Sequence, residues 1–171
     1  GFGFLTLMDL IMATYPVPDQ GDKITDALIS ALDFDPAQVR ADSAAIKADI
    51  EGKTEADLLG AASSGAGAVG EAAKVVQSRD TYFHTRPGSV GLLAIMDSVS
   101  VQTDKAGIAR WAAPFGYRER PLDNMSGLLK EYREKIANAM QMMKAMEIRE
   151  KKRMAEQLEE KAKAAQAKAE G

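Results

Sequence analysis

From Pro121 to Glu170 nothing in this chain interrupts a helix. No proline follows Pro121, and the only later glycines are Gly127 and the terminal Gly171. Leu122, Met125, Leu129, Tyr132, Ile136, Ala139, Met143 and Met146 recur at alternating steps of three and four, the seam of a helix lying along a neighbour. Beyond Met146 only Ile148, Met154 and Leu158 stand in a field of Lys, Glu and Ala. That tail has too little apolar surface for a core to hold it along its length. At 1.5 Å per residue the helix would run roughly 75 Å, more than twice the width of a small domain. The spacing predicts a helix packed near its start and solvent-exposed or partner-bound towards its end. A charged helix of that reach suits docking better than enclosing a reaction.

The rest of the chain divides into helices by its own punctuation. Phe4 to Tyr15 is predicted as an apolar, central helix, ended by Tyr15-Pro16-Val17-Pro18-Asp19-Gln20-Gly21. Asp22 starts a second, with Ile24, Leu28, Ile29 and Leu32 on one face. Asp35 caps a third, and Pro36 takes its first position, where a missing N–H costs nothing. That helix runs to about Glu51, before Gly52. Thr54-Glu55-Ala56-Asp57 has the form of a capping box. Residues 63–70 read as a flexible Gly/Ala connector. A short helix through Ala72 to Gln77 follows, then one over Tyr82 to Ser100 entered through Thr85-Arg86-Pro87-Gly88. Thr103 is expected to cap Asp104 to Phe115, which holds the only tryptophan, Trp111, and Gly116 closes it. No segment alternates with period two. The expected fold is all-α, a helical bundle with a long protruding C-terminal helix: a globular body over 1–116 and the helix over 117–171.

Composition narrows the function. With 46% hydrophobic and 27% charged residues the chain has an ordinary globular balance, and its zero cysteines remove disulfides, zinc ribbons and thiol catalysis. Residues 1–60 carry eleven acidic side chains against four basic ones, a balance of −7, whereas Lys144 onwards holds eight basic against six acidic, a balance of +2. An acidic body argues against nucleic acid as the main ligand. No run approaches the eighteen or so apolar residues of a bilayer span. The first residue is Gly1, inside an apolar pattern, so a fragment lacking its true N-terminus and any targeting segment is expected.

Few motifs suggest chemistry. Gly65-Ala66-Gly67-Ala68-Val69-Gly70 matches GxGxxG, but the end of a helix precedes it where a dinucleotide loop needs a strand, so a linker is the reading. His84 is the only histidine; one histidine without cysteines assembles no common zinc site, which leaves a capping or packing role. Asp9, Asp22, Asp26, Asp33 and Asp35 stand at helix starts or on exposed faces, where capping and solvation explain them. Met140, Met142, Met143 and Met146 form the one cluster that suggests a binding surface, because methionine adapts to varied partners. Met143 and Met146 fit the seam; Met140 and Met142 lie off it. Glu147–Lys151 and Glu159–Lys163 are spaced to pair along an exposed helix. Candidate partner-binding residues are Met140, Met142, Met146, Lys151, Lys152 and Arg153; no catalytic, cofactor or metal site is expected.

Several segments carry a family resemblance. Gly3-Phe4-Leu5-Thr6-Leu7-Met8-Asp9 with Met12-Ala13-Thr14-Tyr15-Pro16, then Asp22-Lys23-Ile24-Thr25-Asp26-Ala27-Leu28 and Asp35-Pro36-Ala37-Gln38-Val39-Arg40-Ala41-Asp42, resemble the thylakoid-formation family, the photosystem II biogenesis (Psp-type) factors. Tyr82-Phe83-His84-Thr85-Arg86, Ser89-Val90-Gly91-Leu92 and the Lys/Glu-rich final helix continue it in order over nearly the whole chain. One departure is that Asp9 is followed by Leu10-Ile11-Met12 where the family usually has an Arg-containing block. The resemblance implies a non-enzymatic factor on the stromal side of chloroplast thylakoids, or the cytoplasmic side in a cyanobacterium. Such a factor serves photosystem II biogenesis and repair as an adaptor for the thylakoid FtsH protease, with photosystem II or antenna subunits as partners and peripheral membrane contact. A stably bound peripheral subunit of a photosystem–antenna supercomplex, contacting other subunits through Phe2–Met8 and the methionines, is the alternative.

Overall fold

Side-chain caps set the start of four of the helices. A computed structural model describes residues 1–17, 20–79, 81 and 84–169, with side chains as far as residue 163. The described residues form α1 (Phe2–Met12), α2 (Gln20–Ala31), α3 (Pro36–Ile50), α4 (Glu55–Ser64), α5 (Gly67–Gln77), α6 (Arg86–Ser98), α7 (Lys105–Ala112), a 3-10 turn (Ala113–Phe115) and α8 (Glu119–Ala169). No strand occurs among them, and the fold is all-α.

Asp35 accepts from Ala37 N at 3.0 Å and starts α3 with Pro36 in its first turn. Thr54 and Asp57 form the reciprocal capping box of α4. Thr85 caps α6 by accepting from Gly88 N, with Pro87 in the first turn. Before α7 the cap is Asp104, which accepts from Gly107 N at 2.8 Å, rather than Thr103. The helix expected to reach Phe115 ends at Ala112 and tightens into the 3-10 turn, where Pro114 supplies no N–H; Gly116 then reverses the chain at φ +74°. The helix expected from Tyr82 starts at Arg86; Tyr82 and Phe83 lie outside the described residues.

The chain forms two compact units, Gly1–Tyr132 and Arg133–Gly171. In the first, the central helix is α6, whose Ser89, Val90, Leu92, Leu93, Ile95 and Met96 are all buried. Trp111 stacks on Phe115 with ring centroids 5.2 Å apart, and Leu58, Val69, Ile108, Leu122, Met125 and Leu129 complete the core around them. α1, expected to be central, buries one face (Phe2, Gly3, Leu5 and Met8) and leaves Ile11 exposed. Its contact with α6 is a crossing at glycine: a Cβ on Gly3 would overlap the Pro87 carbonyl and the Gly91 backbone. α2 also differs from expectation. Thr25 and Ile29 are its buried residues, Leu28 and Leu32 are exposed, and Arg40 of α3 ties it down through Asp26 at 2.8 Å and Asp22 at 3.1 Å. The second unit is the helical run of α8 from Arg133.

Candidate interaction surface

The second unit exposes nearly all its described side chains; Ile136 alone among residues 133–163 is half-buried. By helical spacing, Ile136, Met140, Met143, Met154 and Leu158 share one face, with Glu147 and Glu150 filling the interval between Met143 and Met154. Met143 and Leu158 are 47% and 65% exposed. Such a stripe has the pattern of a packing seam without a core over it.

The six expected partner-binding residues do not all share this face. Met140 lies on the stripe, four residues after Ile136 and three before Met143, rather than off it; that spacing was readable in the sequence. Lys151, eleven residues after Met140, borders the same face and pairs with Glu147 at 2.6 Å, which lowers the Glu147 carboxyl and raises the Lys151 ammonium from their ordinary values. Met142, Met146 and Arg153 follow a flank at steps of four and seven. Lys152 lies on the far side, 3.9 Å from Glu156. The pairing expected of Glu159 with Lys163 is not among the ion pairs of the described residues.

In the first unit the glycine motif holds an anion that belongs to the protein. α4 continues through Ser64, Gly65 turns the chain at φ +85°, and α5 begins at Gly67, so residues 63–70 form a helix-to-helix turn instead of a connector. Gly70 lies against the Ala61 carbonyl and Gly65, where a Cβ would not fit. Asp49 of α3 reaches this turn. Its Oδ2 accepts from Val69 N at 2.8 Å while Oδ1 pairs with Lys53, and the two contacts, Lys53 first, hold the carboxyl below the usual range. A Cβ on Gly67 would strike that carboxylate. The α5 N-terminus thus serves as an anion cradle filled by a side chain from 18 residues upstream of Gly67. No local pattern marks Asp49 for this role.

Two further ionisable groups have structural partners. Glu55 Oε1 accepts from Trp111 Nε1 at 2.8 Å and from Arg110 Nε at 3.2 Å, and both bonds, the indole first, lower its carboxyl. His84 Nδ1 lies 3.3 Å from the fully buried Ser89 Oγ, a packing position. Among the described residues no group of three His, Asp or Glu side chains is placed to hold a metal ion, and no helix is long and apolar enough to cross a membrane.

A family model described as thylakoid formation protein matches residues 1–158. Three curated plant proteins are similar. "Protein THYLAKOID FORMATION 1, chloroplastic" of Arabidopsis thaliana is 27% identical over 158 residues, covering 90% of this chain and 52% of that protein. "Protein THYLAKOID FORMATION1, chloroplastic" of Solanum tuberosum is 29% identical, with 94% and 55% covered, and the protein of the same name from Oryza sativa subsp. japonica is 25% identical, with 92% and 55% covered. The chain therefore spans about half the length of these relatives. No solved structure matches it significantly.

Proposed function

The chain belongs to the thylakoid formation protein family, and on that premise we propose that it is a non-enzymatic auxiliary factor for photosystem II biogenesis and repair and for thylakoid organisation. In this reading it works in the chloroplast on the stromal side of the thylakoid, or on the cytoplasmic side in a cyanobacterium, and is an adaptor for the thylakoid FtsH protease. The names of the plant relatives support the compartment. The observation that carries the docking role is the exposed stripe Ile136, Met140, Met143, Met154 and Leu158. A long helix whose apolar face is unburied suits helix-in-groove recognition, in which residues at steps of three and four anchor the partner. The alternating Lys and Glu around it keep the unbound helix soluble.

The alternative, a stable peripheral subunit of a photosystem–antenna supercomplex, would use both the apolar opening Phe2–Met8 and the exposed methionines of α8. Phe2, Leu5 and Met8 are buried within the first unit, so they are not available to other subunits. Affinity capture from mildly solubilised thylakoids, with quantified mass spectrometry, separates the two readings. FtsH subunits at sub-stoichiometric abundance, lost on washing at moderate salt, are expected of the adaptor. Near-equimolar photosystem subunits retained through high salt, without the protease, would replace it with the structural role.

A further inference from the structure

A cleft of about 460 Å³ opens in the first unit among α1, α2, α3 and the start of α6. Phe4, Ile29, Leu32, Phe34, Val39 and Pro87 supply its apolar walls. Ile29 is buried at the base, yet Leu32 and Phe34 stand 58% and 63% exposed at the rim. Arg79, just beyond α5, is the only charged side chain on the described walls, and it makes no ion pair among the described residues. It also borders an adjoining cleft of about 220 Å³ lined by Phe2, Ile46 and Leu92, and Gly1, which carries the α-amino group of this chain, lines both spaces.

The volume lies within the range of small-molecule sites, roughly 300–1,000 Å³. An extended peptide would bring a row of N–H and C=O groups that need partners. Among the described residues the cleft is walled by helices and the segments between them, without a strand edge, and the Thr85 hydroxyl oxygen is already engaged by Gly88 N. A hydrocarbon chain needs no such partners, and a guanidinium beside an apolar space selects a negative head. We propose that this cleft binds a single-chain amphiphile with an anionic head, a long-chain carboxylate, with its tail against Phe4, Leu32, Phe34 and Val39 and its carboxylate on Arg79. This site is independent of the docking stripe on α8 and of the adaptor role.

The test is calorimetric titration of the full 171-residue chain with laurate below its micelle concentration, beside dodecyltrimethylammonium, which has the same tail and the opposite charge. One laurate per chain is expected, with the cationic amphiphile bound more weakly. Arg79→Gln should weaken laurate by about ten- to a hundredfold, the worth of a charge-assisted hydrogen bond, and Arg79→Lys should restore part of it. Phe34→Glu should abolish laurate binding without lowering the melting temperature, since Phe34 is exposed. Absence of one-to-one laurate binding, equal binding of the two amphiphiles, or unchanged binding by Arg79→Gln would overturn the proposal. A wild-type dimer on size exclusion that Phe34→Glu converts to monomer would assign the face to a second copy and overturn it equally.

Discussion

Trp111 Nε1 donates to Glu55 Oε1 across 56 positions of sequence, and the same oxygen takes the Arg110 guanidinium at 3.2 Å. The bond closes the start of α4 over α7 and satisfies the one polar atom of a fully buried indole. Glu55→Gln keeps an acceptor oxygen there, and Glu55→Ala leaves the indole N–H unmade. The alanine variant should therefore melt lower than the glutamine variant at pH 7. Because the folded-state carboxyl is depressed, its contribution is present above the unfolded value of about 4.3 and is lost as pH falls through the lower folded value. Urea midpoints followed from pH 7 to pH 3 should fall less steeply for Glu55→Gln than for the parent; parallel slopes would contradict this.

Asp49 caps α5 from another helix, so its removal should act as loss of an N-cap. Asp49→Ala is expected to cost about 0.5–2 kcal/mol of unfolding free energy in urea titration. Asp49→Asn retains an acceptor for Val69 N but loses the Lys53 pair, and should fall between the alanine variant and the parent. The acid dependence has the same sign as for Glu55, since this carboxyl too is lowered in the folded state.

Two glycine-to-alanine changes should have opposite signs. At Gly3 the new methyl meets the Pro87 carbonyl and the Gly91 backbone, and forcing α1 from α6 should cost about 1–3 kcal/mol, or more. At Gly127, in α8, a Cβ has no neighbour within 4 Å, so alanine should stabilise by about 0.4–1 kcal/mol. Thermal melts of both variants decide the matter. A neutral Gly3→Ala would mean that the helices do not cross there as closely as described.

Much of the fold was legible where the determinant was local. The caps at Asp35 and Thr54 and the reversal at Gly116 each act within a few residues, and the chain yields its helices to them. Three of the misreadings have long-range causes. Residues 63–70 looked like a connector because the group that organises them, Asp49, comes from another helix. α1 looked central from its hydrophobicity, but Gly3 and Gly91 bring only one of its faces against α6. Leu28 and Leu32 were read onto one apolar face with Ile24 and Ile29, but such spacing does not say whether a neighbour exists to cover that face. On the interaction surface, the methionines were visible as a cluster, while their division into a stripe (Met140, Met143) and a flank (Met142, Met146) required following the helical phase as far as Leu158.

Since the stripe is exposed, charging it should leave the fold alone. Met140→Glu and Met143→Glu, singly or together, are expected to change stability by no more than about 0.5 kcal/mol each, as for other surface substitutions. A drop of several degrees in the melting temperature of the double variant would instead reveal that the stripe is covered within the chain itself.

The most direct measurement is quantitative capture of FtsH subunits from mildly solubilised thylakoids by the parent chain and by the Met140→Glu/Met143→Glu variant, compared at equal loading. The result expected is folded, helical variant protein whose protease recovery falls at least severalfold. Undiminished recovery by a folded variant would contradict docking through the α8 stripe, and no recovery by either protein would contradict the adaptor role itself.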